Sequence, residues 1–226
     1  MSCRKIVLVV LTAGAAFVLG SCAGTSSKAL TSHPVTTGWQ DVVADDLSNC
    51  TFRPGSWTME DGVLTRKGGS DIWTKTKYGD FILDVEFKVN ERTNSGVFIR
   101  TADIKNWLHT GIEIQISNAY GKEKLGKHDC GAVYDIQAPS VNAVKPAGEW
   151  NRMSIMADGP KISIVMNGKQ IIDIDLDNWP EAHKNRDGSP NKFNIAYKDM
   201  AREGVIGFQE HGRAVWYRNI KVKPLR

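Results

Sequence analysis

The sequence predicts an all-β fold, a two-sheet antiparallel sandwich of jelly-roll kind, and three observations predict it. Apolar and polar residues alternate in segment after segment, the period of a half-buried strand. Asp61-Gly62, Asp158-Gly159 and Asn167-Gly168 punctuate those segments with dipeptides that favour tight hairpin turns. Helical character is confined to one short turn at 198–202. Many short strands without crossover helices exclude a doubly wound parallel sheet.

The elements follow in order. Segments 56–59 and 63–66 flank Asp61-Gly62. In 81–89, Phe81, Leu83, Val85, Phe87 and Val89 alternate with Ile82, Asp84, Glu86 and Lys88; Asp84 and Glu86 read as solvated surface. Strands are expected at 95–101, 111–117 and 131–136, then at 153–157 and 161–166, with 169–176 after Asn167-Gly168. Segments 204–209 and 214–222 close the series. The stretches 102–110, 118–130, 137–150 and 177–197 are the long loops.

Not all 226 residues belong to this series. Arg4 and Lys5 precede an apolar run over 6–20, short for a membrane span and suited to a signal peptide. The run ends in Leu19-Gly20-Ser21-Cys22, which resembles the lipobox of bacterial lipoproteins; the plainer reading is an ordinary cleavage site that contains a cysteine. The expected organisation is a signal peptide over 1–22 with lipidated Cys22, a flexible tether over 23–37 and one domain over 38–226. It places the domain in a bacterial envelope, periplasmic or at the outer membrane, held by its lipid.

Cleavage before Cys22 removes Arg4 and Lys5 and no acid, so 29 basic residues become 27 against 25 acidic ones. That near-balance gives no reason to invoke nucleic acid. Cys50 and Cys130 remain in the domain, as a disulfide or as two free thiols. No Cys/His spacing suggests zinc.

Candidate site residues come from strand parity. In GIEIQIS (111–117), Ile112, Ile114 and Ile116 share one face, and Glu113 and Gln115 share the other. Arg100 is assigned by the same parity to the polar face of 95–101, and Gln209 with His211 to that of 204–211. Trp73 and Trp216 are candidate aromatic platforms for a sugar ring. Each has a plainer reading: Glu113 as an ion-pair partner of Arg100, His211 as a turn residue beside Gly212, the tryptophans as core. A retaining glycosidase needs two carboxyl groups about 5–5.5 Å apart. The face that carries Glu113 continues with Gln115 and Ser117, so its strand supplies no second acid.

Eight stretches, SWTMEDGVL, YGDFILDVEFKV, NSGVFIR, GIEIQI, APSVNAVKPAGEWN, MNGK, REGVIGFQEHG and VWYRNIKVKPL, occur in this order between Ser56 and Leu225, and the resemblance they carry covers 38–226. Together they resemble the 3-keto-disaccharide hydrolase family of bacterial envelope proteins. The resemblance implies a concanavalin A-like lectin/glucanase sandwich and substrates whose sugar is oxidised at C3. A C3 ketone acidifies the C2 hydrogen, so one base and one stabiliser of negative charge suffice for cleavage by elimination and hydration. The family-like positions Glu113, Gln115 and His211 match directly: Glu113 and His211 are the candidates for base or metal ligand, with Arg100 and Gln115 orienting the sugar or the enolate, and Gln209, Trp73 and Trp216 stay sugar-binding candidates from the reading of the strands. A divalent metal ion is compatible with enolate chemistry, with Glu113 and His211 as its candidate ligands. Glu210 stands where most relatives carry Asp before the histidine. A separate sugar 3-oxidoreductase would have to supply the substrate. The alternative is a carbohydrate-binding lipoprotein on the same fold without turnover.

Overall fold

The computed structural model describes residues 28–225. Among them, thirteen strands form two antiparallel sheets. Sheet A runs β11 (Lys169–Asp175), β10 (Lys161–Met166), β9 (Trp150–Asp158), β6 (Phe81–Val89), β13 (Val215–Pro224), β4 (Val63–Arg66) and β3 (Trp57–Glu60). The short β1 (Gln40–Asp41) pairs with the far part of β13. Sheet B runs β2 (Cys50–Thr51), β5 (Ile72–Tyr78), β12 (Gly204–Phe208), β7 (Asn94–Thr101) and β8 (Ile112–Ser117). Among the described residues helix is limited to α1 (Trp107–Thr110) and three 3₁₀ turns.

Alternation sends one face of each sheet into a shared core. Phe81, Leu83, Val85, Phe87 and Val89 of β6 are fully buried there, as are Val97 and Ile99 of β7. Ile112, Ile114 and Ile116 of β8 join them. Burying one such side chain stabilises by about 1.5–3 kcal/mol. A one-residue slip of β8 would take all three out of the core and turn Glu113 and Gln115 into it, so its register is firmly held and Glu113 and Gln115 are kept on the outer face. Asp61-Gly62 and Asn167-Gly168 turn their hairpins with both central residues at positive φ, the twist that suits antiparallel strands. The third hairpin differs from expectation by one residue. Asp158 pairs with Lys161, so its turn is Gly159-Pro160.

Several sequence expectations need correction. Segment 131–136 is not a ladder strand; it follows β8 through backbone bonds and the isolated bridge Ile114–Val133. Strand β5 was not expected, because IWTKTKY lacks an apolar alternation, and its inward position Thr74 is polar. Thr74 Oγ1 is satisfied by the Ile206 amide and by donation to the Thr76 carbonyl. Asp84 is not solvated: it is buried, receives the Ser154 hydroxyl and pairs with Arg152 at 2.9 Å. Cys50 and Cys130 are buried free thiols, raised by desolvation to about 11 and about 12.

The described part of the expected tether, 28–37, has no regular secondary structure but is not loose. Leu30 bonds Ser163 and Gln170, Arg152 donates to the Pro34 carbonyl, and His33 bridges Ser154 and Gly168. The segment straps across sheet A. The apolar run over 6–20 and Cys22 lie outside the described residues. Among the described residues no helix is long and apolar enough to cross a membrane.

Candidate active site

Outside sheet B, Glu113 enters a cavity of about 260 Å³. Gln115, Gln209 and His211 line the same cavity, so four sequence candidates meet there. Gln115 follows Glu113 on the outer face, and its amide donates to Asn94 at 2.7 Å and to the Ser95 carbonyl. Gln209 leaves the end of β12 with its amide N–H on the Gly96 carbonyl. Its Oε1 is buried without a hydrogen-bond partner among the described residues. His211 follows at the rim, exposed, before the turn at Gly212.

Loops roof this part of the sheet, which is why Glu113 is only 6% exposed although it leaves the sandwich core. The 131–137 segment is stitched to β8 by Gln115 N to Ala132 O, Gly131 N to Gln115 O and Tyr134 N to Glu113 O. That places Tyr134 beside Glu113 and on the cavity wall. Trp107 and Leu108 close another side from α1. Beneath Glu113 lies Gly96; a Cβ there would sit 2.6 Å from Glu113 Oε1. The glycine therefore makes room for the carboxyl to lie against the sheet.

Desolvation raises the Glu113 carboxyl from 4.5 to about 7. Lys192 opposes the shift and Asp71 adds to it. Both line the cavity, and neither was found by sequence pattern, since they sit in loops. Asp71 precedes β5, accepts the Glu210 amide N–H at 2.7 Å and is itself raised by burial. Glu210 is committed to Arg66 and to the Gly212 amide.

Arg100 is placed elsewhere. A β-bulge lies between β7 and β12: Phe98 pairs with Gly207 and Thr101 with Val205, three steps against two. Arg100 falls in the extra position at φ 53° and loses the expected parity. Its buried guanidinium binds the Gly79 and Gly159 carbonyls and Asp80, at 2.7–2.8 Å, tying the two sheets together. It neither pairs with Glu113 nor lines the cavity.

Trp216 is also absent from the cavity. Its strand β13 belongs to sheet A, where Val215 and Tyr217 point into the core and Trp216 points away, under Lys88. Trp73 lies on the correct face but is buried beneath the site. Its ring stacks on Phe98 at 5.3 Å and crosses Gly207, where a Cβ would meet it at 2.3 Å. The aromatic side chains that line the cavity are Tyr134 and Trp107, the latter 4.9 Å beyond Phe98.

A larger and more open hollow, about 580 Å³, lies between residues 90–92, Ala147-Gly148 and Arg213-Ala214. It gathers no buried ionisable group, which makes the Glu113 cavity the candidate site. Among the described residues no three His, Cys, Asp or Glu side chains are grouped to hold a metal ion.

The sequence profile of the 3-keto-alpha-glucoside-1,2-lyase-like domain matches residues 34–223. The chain belongs to that family. The match begins before residue 38, in keeping with a strap that packs on sheet A. Within reach of the family lies a 3-keto-disaccharide hydrolase of Bacteroides thetaiotaomicron, 27% identical over 222 residues, covering 83% of this chain and 74% of that protein. A crystal structure from Parabacteroides distasonis, named as a candidate glycosyl hydrolase, superposes with TM-score 0.77 at 35% identity, covering 83% of this chain and 99% of the other. A second protein so named from that organism gives 0.67 at 26%, covering 80% and 91%. These solved structures agree with the two-sheet sandwich.

Proposed function

We propose that this domain cleaves glycosides whose sugar is oxidised at C3, with Glu113 as the base that takes the C2 proton. The observation that carries the reading is Glu113 itself: a carboxyl buried in a cavity and held near 7 by desolvation. A base is most effective when its pKa lies near the working pH. The family membership and the named activity of the Bacteroides relative supply the substrate class.

The steps balance with the groups at hand. Glu113 carboxylate takes the C2 hydrogen as a proton, and the electron pair moves into the C3 carbonyl as an enolate. When the C3 carbonyl re-forms, the C1–O bond breaks and the aglycone oxygen leaves with a proton. His211, which lines the cavity, is the donor in this reading. Water then adds at C1 and a proton returns to C2, so the sum is hydrolysis. Gln209 Oε1 is an acceptor for a sugar hydroxyl, and Trp107 offers a face to the ring. No step here is routed through a metal.

Asp71 favours a second reading. It puts a second carboxyl into the cavity, from a loop rather than from β8. Glu113 as acid and Asp71 as nucleophile or base would be direct hydrolysis on two carboxylates. That mechanism does not need the ketone. The test offers the purified domain a 3-keto-disaccharide and its unoxidised parent. Release from the keto sugar alone supports elimination; equal cleavage of both supports the two-carboxylate route; binding without release leaves a carbohydrate-binding domain.

On this reading the substrate must come from an enzyme that oxidises a sugar at C3. The lipobox-like Leu19-Gly20-Ser21-Cys22 supports a lipid anchor that holds the domain at an envelope membrane.

A further inference from the structure

Lys192 is a cation that the fold takes trouble to place. It lies in a long loop remote in sequence from β8, yet three contacts fix it over the cavity. Its backbone N–H donates to Asp135 Oδ2 at 2.9 Å. Its ammonium lies 4.4 Å from the Tyr134 ring centre and 3.3 Å from the Tyr134 hydroxyl. The next residue, Phe193, is buried and packs against Tyr197 at 5.1 Å, which anchors the loop. Tyr134 is itself held beside Glu113 by its backbone N–H, which donates to the Glu113 carbonyl. The chain β8–Tyr134–Lys192 thus sets the ammonium at the cavity where Glu113 works.

The ammonium has no carboxylate partner among the described residues, whereas Arg66, Arg100, Arg152 and Arg218 each have one. A positioned cation without an anion, facing a base, suits a reaction that creates negative charge one bond from the abstracted proton. We propose that Lys192 is a catalytic residue of this site, its ammonium meeting the oxyanion that forms on the C3 oxygen of the substrate when Glu113 takes the C2 proton. The inference rests on the elimination reading given above.

Two consequences separate this role from a structural one. Lys192 stabilises charge that is present in the transition state and absent from the ground state, so its loss reduces kcat more than it raises KM. It also faces Glu113, and its charge lowers the Glu113 pKa. The other charged groups at the cavity are Asp71, which raises that pKa, together with Glu210, which Arg66 holds, and His211. Removing Lys192 therefore moves Glu113 to a higher pKa.

The experiment compares wild type, Lys192→Met and Lys192→Arg on a 3-keto-disaccharide across pH. It also follows the Glu113 carboxyl by ¹³C NMR with Glu113→Gln as the assignment control. Loss of one oxyanion partner costs roughly 10²–10³-fold in kcat. The expected result is that loss in Lys192→Met, most of the rate restored in Lys192→Arg, and a Glu113 titration moved upward in Lys192→Met. Lys192 is exposed, and equal melting temperatures confirm that the variants fold. Wild-type turnover with Lys192→Met within threefold of it overturns the inference alone. So does a loss of rate with an unmoved Glu113 titration. A wild type that leaves the 3-keto-disaccharide intact overturns the elimination reading, and the enolate role falls with it.

Discussion

The Glu113→Gln substitution separates the function of this carboxyl from its cost to the fold. An acid whose folded pKa is raised binds protons more tightly folded than unfolded, so it destabilises as pH rises above its unfolded value. For Glu113 the two values are 4.5 and about 7. At pH 8 the ionised carboxyl costs the fold about 3 kcal/mol, and at pH 5 under about 1 kcal/mol. Glutamine does not titrate, and any cost of its buried amide is the same at both pH values. The stability of Glu113→Gln relative to wild type should therefore improve by about 2.5 kcal/mol between pH 5 and pH 8. In thermal unfolding this is a relative gain of about 5–10 °C. The same variant should lose about 10²–10⁴-fold in turnover of a 3-keto-disaccharide. Melting curves of both proteins at the two pH values decide the matter. A stability difference that does not change with pH would show that Glu113 is ionised in the fold at little cost, and the reasoning would be refuted.

Other substitutions test other parts of the site and scaffold. Gly96→Ala places a methyl 2.6 Å from Glu113 Oε1, and overpacking of this kind costs about 1–3 kcal/mol; activity should fall with it, measured at a temperature where the variant is folded. Arg100→Met breaks a buried pair with Asp80 and should cost about 3 kcal/mol or more. Its kcat/KM, measured well below the melting point, should stay within threefold of wild type, because Arg100 does not reach the cavity. His33 accepts the Gly168 N–H on Nε2 and faces Ser154 through Nδ1, so the strap needs the neutral ring. Burial, aided by Arg152 and opposed by Asp84, lowers its pKa from 6.5. The strap's contribution is full above 6.5 and lost as pH falls below it, so Gly168 amide exchange, corrected for intrinsic rates, should speed up on acidification. Cys22→Ala should move the full chain from the membrane fraction to the soluble fraction.

What was legible in the sequence follows from period two. The isoleucines of β8 and the phenylalanines of β6 declare their faces, and burial of the former sends Glu113 and Gln115 outward. Asp61-Gly62 and Asn167-Gly168 declare their turns through residues that accept positive φ. Parity fails where the chain inserts a residue. Arg100 was placed by counting, and a bulge at that position reverses the count. Parity also says nothing of strand order. Trp216 does point outward, but from sheet A. Asp71 and Lys192 come from loops, which have no period to read, Trp107 from the single turn of α1, and Tyr134 from a segment that only tertiary packing sets beside Glu113.

The most direct test of the account is cleavage of a 3-keto-disaccharide in D₂O, read by mass spectrometry and NMR of the released keto sugar. Elimination followed by hydration predicts one deuterium at C2, introduced at the rate of cleavage and lost together with cleavage in Glu113→Gln. A cleaved product that keeps its original hydrogen at C2 would contradict proton abstraction by Glu113 and leave direct hydrolysis by Glu113 and Asp71 in its place.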